Sequence, residues 1–256
     1  ATELIRLDWN LKEFLKLLVS SATYRQDSRC DQRTLDVDPY NRLLARGPRL
    51  RLSAEMVRDQ ALFAGGLLSR RMYGPPIKPP QPSMGLSAAF GPGLDWQTSK
   101  GEEKFRRGIY VHWRRSNPYP SMVAFDAPNR FVCNVRRSST NTPLQALVTL
   151  NDPVYVEAAQ ALARRMISEG GANEDSRLRH GFRLCLTRNP YPSEIAKLSE
   201  LLKKAMQSYE QDENAAKQLA TVPIGPIPSG MKPVELASYT VVSNIMLNLD
   251  EVFQKR

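Results

Sequence analysis

The sequence predicts a mainly α fold: an irregular helical domain with long proline-rich loops and at most a short strand or hairpin. Three observations carry that reading. Apolar residues recur at three- and four-residue spacing in several stretches. Helix-start residues (Asn10, Ser53, Thr142-Pro143, Asp152-Pro153, Pro233) stand directly before those stretches. Nineteen prolines in 256 residues exceed the usual ~5% and gather between the periodic segments, so the connections are long and irregular.

Taken in order, the chain opens at Ala1 rather than Met, almost inside a helical pattern, and reads as a processed or truncated chain, the C-terminal part of a larger protein. Asn10 caps a helix to about Ser20, with Leu11, Phe14, Leu15 and Leu18 on one face. A turn-rich connector, "DVDPYNRLLARGPRLRL", leads to Ser53, which starts a second helix in which Met56, Ala61, Phe63, Leu67 and Leu68 are the expected buried residues, with Gly65-Gly66 weakening its end. From Met72 to Ser99, six prolines and four glycines in 28 residues predict extended, polyproline-like chain. "GIYVHWRR" has the aromatic and β-branched content of a short strand. In the 125–152 segment, Thr142 caps, Pro143 takes the first helical position and Gln145 reaches back to complete a capping box. Asn151 suits a left-handed C-terminal cap, and Asp152-Pro153 starts the next helix, to about Ser168. Further helices are expected over 174–187 and 193–209, followed by the breaker-rich loop "TVPIGPIPSGMKP". The helix opened by Pro233 is apolar over a wide surface and belongs at the centre of the core. The whole is expected to form one domain, 1–256.

Hydrophobic residues make up 41% of the chain, enough to bury a core, and no apolar run approaches the ~20 residues of a membrane span. The net charge of +10 sits in two segments: 100–137 carries nine basic against three acidic residues, and 42–71 carries seven against two. In the first, arginines interleave with Phe105, Tyr110, Trp113, Tyr119, Phe125 and Phe131. A guanidinium fork beside aromatics suits oxyanion partners and also nucleic acid. It equally suits pairing with carboxylates elsewhere in the protein, the favoured reading, and all three stand open here. Cys30, Cys133 and Cys185 show no zinc or haem-attachment spacing, and with only His112 and His180 no histidine-rich metal site can form. No metal and no cofactor are expected in this chain.

One ordered set of segments has a wider echo: "SATYRQ", "DPYNRLLAR" with "RLSAEMVRDQAL", the Gly-Pro-Pro segment, "FDAPNRFVCNVRR", "TNTPLQALVTLND" and "LNLDE". Together they resemble the planctomycete-type C-terminal domain of unknown function found in large secreted proteins. Those proteins often also carry a cytochrome-c-like domain and a second planctomycete-specific domain. The resemblance covers Asn10 to Glu251. It implies an extracytoplasmic setting, periplasmic or secreted, haem in a neighbouring domain and, by association with sulfatases and polysaccharide degradation, acidic glycans nearby. Phe131 stands where an acidic residue is usual, and His112 where another aromatic or a small residue is.

The polar residues of 125–141 are the candidates for function. Asp126, Arg130, His112 and Cys133 have side chains able to act as acid, base, clamp or nucleophile. Against this, Asp126 suits a turn that accepts backbone N–H groups, Arg130 suits a salt bridge to Asp126, Cys133 in "FVCNV" suits a buried inert thiol, and His112 in a strand suits a solvent-facing position. Arg136, Arg137, Asn129, Asn141, Arg114, Arg115 and Trp113 are the candidate binding residues. The expected function is a binding or scaffolding module of a cytochrome-c-associated protein, facing neighbouring domains of the same protein or an acidic, sulfated polysaccharide. The exported setting disfavours nucleic acid. The alternative is a redox or glycan-active enzyme with its site around 125–141.

Overall fold

The computed structural model describes residues 1–82 and 96–255. It is mainly helical, and its chain divides into two compact units. The part of the proline-rich segment at 83–95 lies outside the described residues.

The first unit comprises Ala1–Arg51 and the residues from Phe253 onward. It holds short helices α1 (Thr2–Arg6), α2 (Leu11–Ser20), α3 (Ala22–Arg25) and α4 (Gln32–Val37). Three are started by side chains that accept a backbone N–H: Asn10 from Glu13, Ser21 from Tyr24 and Asp31 from Thr34. Strand β1 (Leu50–Arg51) pairs antiparallel with β2 (Gln254–Lys255), Leu50 opposite Lys255 and Arg51 opposite Gln254. None of the residues of α1–α4 is buried; Leu11, Leu15 and Leu18 face solvent.

The second unit runs from Leu52 to Val252. It contains α5 (Ala54–Ala64), α6 (Pro120–Ala124), α7 (Pro143–Asn151), α8 (Pro153–Glu169), α9 (Glu174–Leu186), α10 (Pro192–Gln211), α11 (Glu213–Thr221) and α12 (Pro233–Leu247). Proline at the first turn of five of these helices fits a position whose N–H has no intrahelical partner. Helix α12 packs against α8, α10 and α11, while α8 also meets α5 and α9. Leu62, Leu162, Met166, Leu178, Phe182, Leu202, Leu236, Val242 and Met246 fill the space between them. Helix α9 approaches α8 at Gly181, where a Cβ would fall 2.5 Å from Met166 Sδ. A last short helix, α13 (Asp250–Phe253), precedes β2.

Several local expectations change. The 108–110 part of "GIYVHWRR" is a 3-10 turn; only Val111 makes a bridge, parallel to Ile77, because Gly108 must wrap tightly against α5, with its Cβ position 2.9 Å from Glu55 Cα. In α5, Met56 and Phe63 are exposed and Arg58 is buried, reversing an assignment made on hydropathy. Gln145 does not close a capping box: its Nε2 donates to Ala124 O at 2.9 Å and to Thr140 Oγ1 at 3.2 Å. Asn151 remains helical, its Nδ2 donating to Leu147 O, and Asp152 takes the junction. The described ends of the proline-rich segment are tied down at Ile77, whose N–H reaches Tyr110 O, and at Ser99, whose N–H reaches Lys78 O.

Candidate functional site

Helix α6 ends at Phe125, and the chain turns out through Asp126 and Arg130, both left-handed at φ 61°. The turn aims the Asp126 carboxylate across the loop, where it accepts the N–H of Thr140 at 2.7 Å and its hydroxyl at 2.8 Å. That pair forms a neck. Gln145, just beyond, fastens the neck to the end of α6. Between the neck residues every side chain from Asn129 to Leu144 is exposed.

The candidate residues are held in separate ways. Arg130 does not bridge to Asp126; its guanidinium lies over the Trp113 ring, 5.0 Å from the centroid, because the left-handed turn carries it away from a carboxylate already engaged by Thr140. Trp113 Nε1 donates to Asn129 O at 3.4 Å, and Asn129 Oδ1 accepts the N–H of Phe131. Arg137 pairs with Glu55 of α5 at 2.7 Å; partial burial works against the Glu55 charge, but the arginine holds its carboxyl below the ordinary value. Arg115 and Arg136 are exposed and make no ion pair among the described residues. Arg114 is half-buried and Asn141 exposed. Cys133 is exposed and free, not buried: "FVCNV" lies on the projecting loop, with Phe131, Val132 and Val135 also in solvent. The buried thiol is Cys185, which burial pushes up to about 12. His112 is half-buried rather than solvent-facing; its N–H donates to Ile77 O and its ring stands 6.2 Å from that of Trp96.

The same unit holds a buried polar layer that hydropathy reasoning missed. Arg58 donates to Arg106 O and Lys104 O, both at 2.7 Å. Arg106, equally buried, donates to Pro75 O, Tyr73 O and Glu103, with its guanidinium 4.2 Å from the centroid of the Tyr110 ring. Asp59 accepts the N–H of Gly108 at 2.6 Å, and burial raises its pKa. Asp152 caps α8 by accepting the N–H of Val154 at 3.0 Å. Burial raises its carboxyl from an ordinary 3.8 to about 6, only partly offset by that bond and the Arg58 charge. Tyr119, whose hydroxyl donates to Pro80 O, is pushed well up by burial and by the Asp152 charge. Arg58 and Asp59 lie on α5, Tyr119 directly precedes α6 and Asp152 caps α8, so the layer draws on all three helices. Among the described residues no group of three or more His, Cys, Asp and Glu is placed to share a metal ion, and no helix is long and apolar enough to cross a membrane.

Fold and loop together define a helical domain of a kind with no assigned activity. More particularly, the chain belongs to the PSD1 family, proteins of unknown function (DUF1553), whose model matches residues 1–202. No curated protein and no solved structure matches the chain.

Proposed function

We propose that this chain is a binding module and that the Asn129–Asn141 loop is its contact surface for an acidic, partly apolar protein surface. The carrying observation is the contrast within the loop: a neck fixed by Asp126, Thr140 and Gln145 supports a continuous exposed run with Arg130, Phe131, Val132, Val135 and Arg136. Arginine and aromatic side chains carry much of the affinity in protein interfaces, and a pinned base lowers the ordering cost of binding. The exposed aliphatic residues favour a protein partner over a sulfated polysaccharide. With the family resemblance, the partner is a neighbouring domain of the same exported protein, and the haem belongs to that domain. The catalytic reading of Asp126, Arg130, His112 and Cys133 draws no support from the geometry, which engages the first three with different partners.

The test immobilises the full chain and measures binding of poly-glutamate, a random glutamate–tyrosine copolymer and heparin. The copolymer is expected to bind about tenfold tighter than poly-glutamate, and Phe131→Ala with Arg136→Ala to remove about 2 kcal/mol of that affinity. Heparin binding more tightly than the copolymer, with no loss on Phe131→Ala, would replace the protein partner with a polysaccharide.

A further inference from the structure

The first unit holds a half-open cavity of about 710 Å³, within the size range of small-molecule sites. Leu35, Tyr40 and Pro48 line it together with Arg29, Arg46 and Arg49, and no acidic residue is among the described lining residues. The arginines are not equivalent. Arg29 is paired with Asp27 at 2.7 Å, and the Arg46 fork is spent on Asp38 O and Pro39 O. The neighbouring Asp38 carboxylate is itself spent on the N–H groups of Arg42 and Leu43. Arg49 is exposed and has no ion pair or hydrogen bond among the described residues. Ser28 also lines the cavity and is 6% exposed.

We propose that this cavity binds a small organic anion: its sulfate, phosphate or carboxylate group is met by Arg49, and its aromatic or aliphatic body lies on Leu35, Tyr40 and Pro48. A bare inorganic anion would fill little of the volume and leave the apolar wall wet. The site is independent of the Asn129–Asn141 surface and stands whether or not that surface binds protein.

Cys30 lines the same cavity, while Cys133 is exposed elsewhere, so the chain carries its own reporter and control. Iodoacetamide labelling of the two thiols in the full chain, followed by peptide mass spectrometry, reads occupancy. The probes are 2-naphthyl sulfate, 2-naphthyl phosphate, neutral 2-naphthol and inorganic sulfate. At about 1 mM, one or both naphthyl anions should slow Cys30 labelling about threefold, which corresponds to a Kd of about 0.5 mM, and leave Cys133 unchanged. Whichever of the two protects more names the anionic group. Arg49→Ala should abolish the protection, with circular dichroism and Cys133 labelling as in the parent. Equal protection by 2-naphthol, no protection by either anion, or protection that survives Arg49→Ala overturns the proposal.

Discussion

Helix α2 sets Leu11, Phe14, Leu15 and Leu18 on one face, the spacing expected of a helix laid on a core, and none of its residues is buried. Helix α12 spreads apolar groups around nearly its whole circumference and buries Leu236, Ala237, Tyr239, Val242, Met246 and Leu247. The contrast separates two properties that hydropathy patterns run together. A stripe says which face a helix would bury; it does not supply a neighbour. Helix α12 has α8, α10 and α11 around it, whereas the neighbours of α2 include the short α1 and α3. Buried positions of the first unit include Ser28, Asp38 and Gly47, which line or brace a cavity instead of filling a core.

Substitutions that grade the two settings should show it. Met246→Ala, at a fully enclosed site of α12, is expected to cost about 3–5 kcal/mol, read as a fall in urea midpoint. A loss under about 1 kcal/mol would break the comparison at its stronger end. Asp152→Asn tests burial of charge in the same unit. The folded Asp152 carboxyl holds its proton more tightly than the unfolded one, so its contribution favours the fold below pH 4 and is lost as pH rises through 6. Asparagine keeps the cap without the charge, so the variant's advantage over the parent should grow by about 2–3 kcal/mol between pH 4 and pH 7.5 in urea titrations. An advantage independent of pH would show that the carboxyl is solvated. Asp126→Ala opens the neck and should cost about 1 kcal/mol of stability, with faster hydrogen exchange at the Thr140 N–H; unchanged exchange would mean the loop base is held without it. Leu15→Ser, on the exposed stripe of α2, should change stability by less than about 0.5 kcal/mol. A loss near 2 kcal/mol would mean the stripe is covered in solution.

Legibility followed the same division. The starts of α7, α8 and α12 were readable because proline at the first turn is a local signal. Helix α11 was not, because "NAAKQLAT" continues the composition of α10 and only the Asp212 cap, which accepts the N–H of Ala215, separates them. Burial of Arg58 had no local signal: its carbonyl acceptors lie at Lys104 and Arg106, nearly fifty residues on. The position of the projecting loop was visible in its polar residues. Its fastening was not, since Thr140, Trp113 and Glu55 find their partners only through the tertiary fold.

The excess of arginine has a consequence for how the irregular segments are held. Proline gives no N–H to satisfy a neighbouring carbonyl, and here guanidinium groups take up that work. Arg46 holds Asp38 O and Pro39 O, Arg58 holds Lys104 O and Arg106 O, and Arg164 holds Gly225 O and Pro226 O. A planar fork spans two carbonyls at once, which the single ammonium of lysine cannot do with the same rigidity. No carboxylate takes part in such a stitch. The seams that fasten these loops are therefore indifferent to acid, while ion pairs such as Arg137–Glu55 come undone once the carboxylate is protonated.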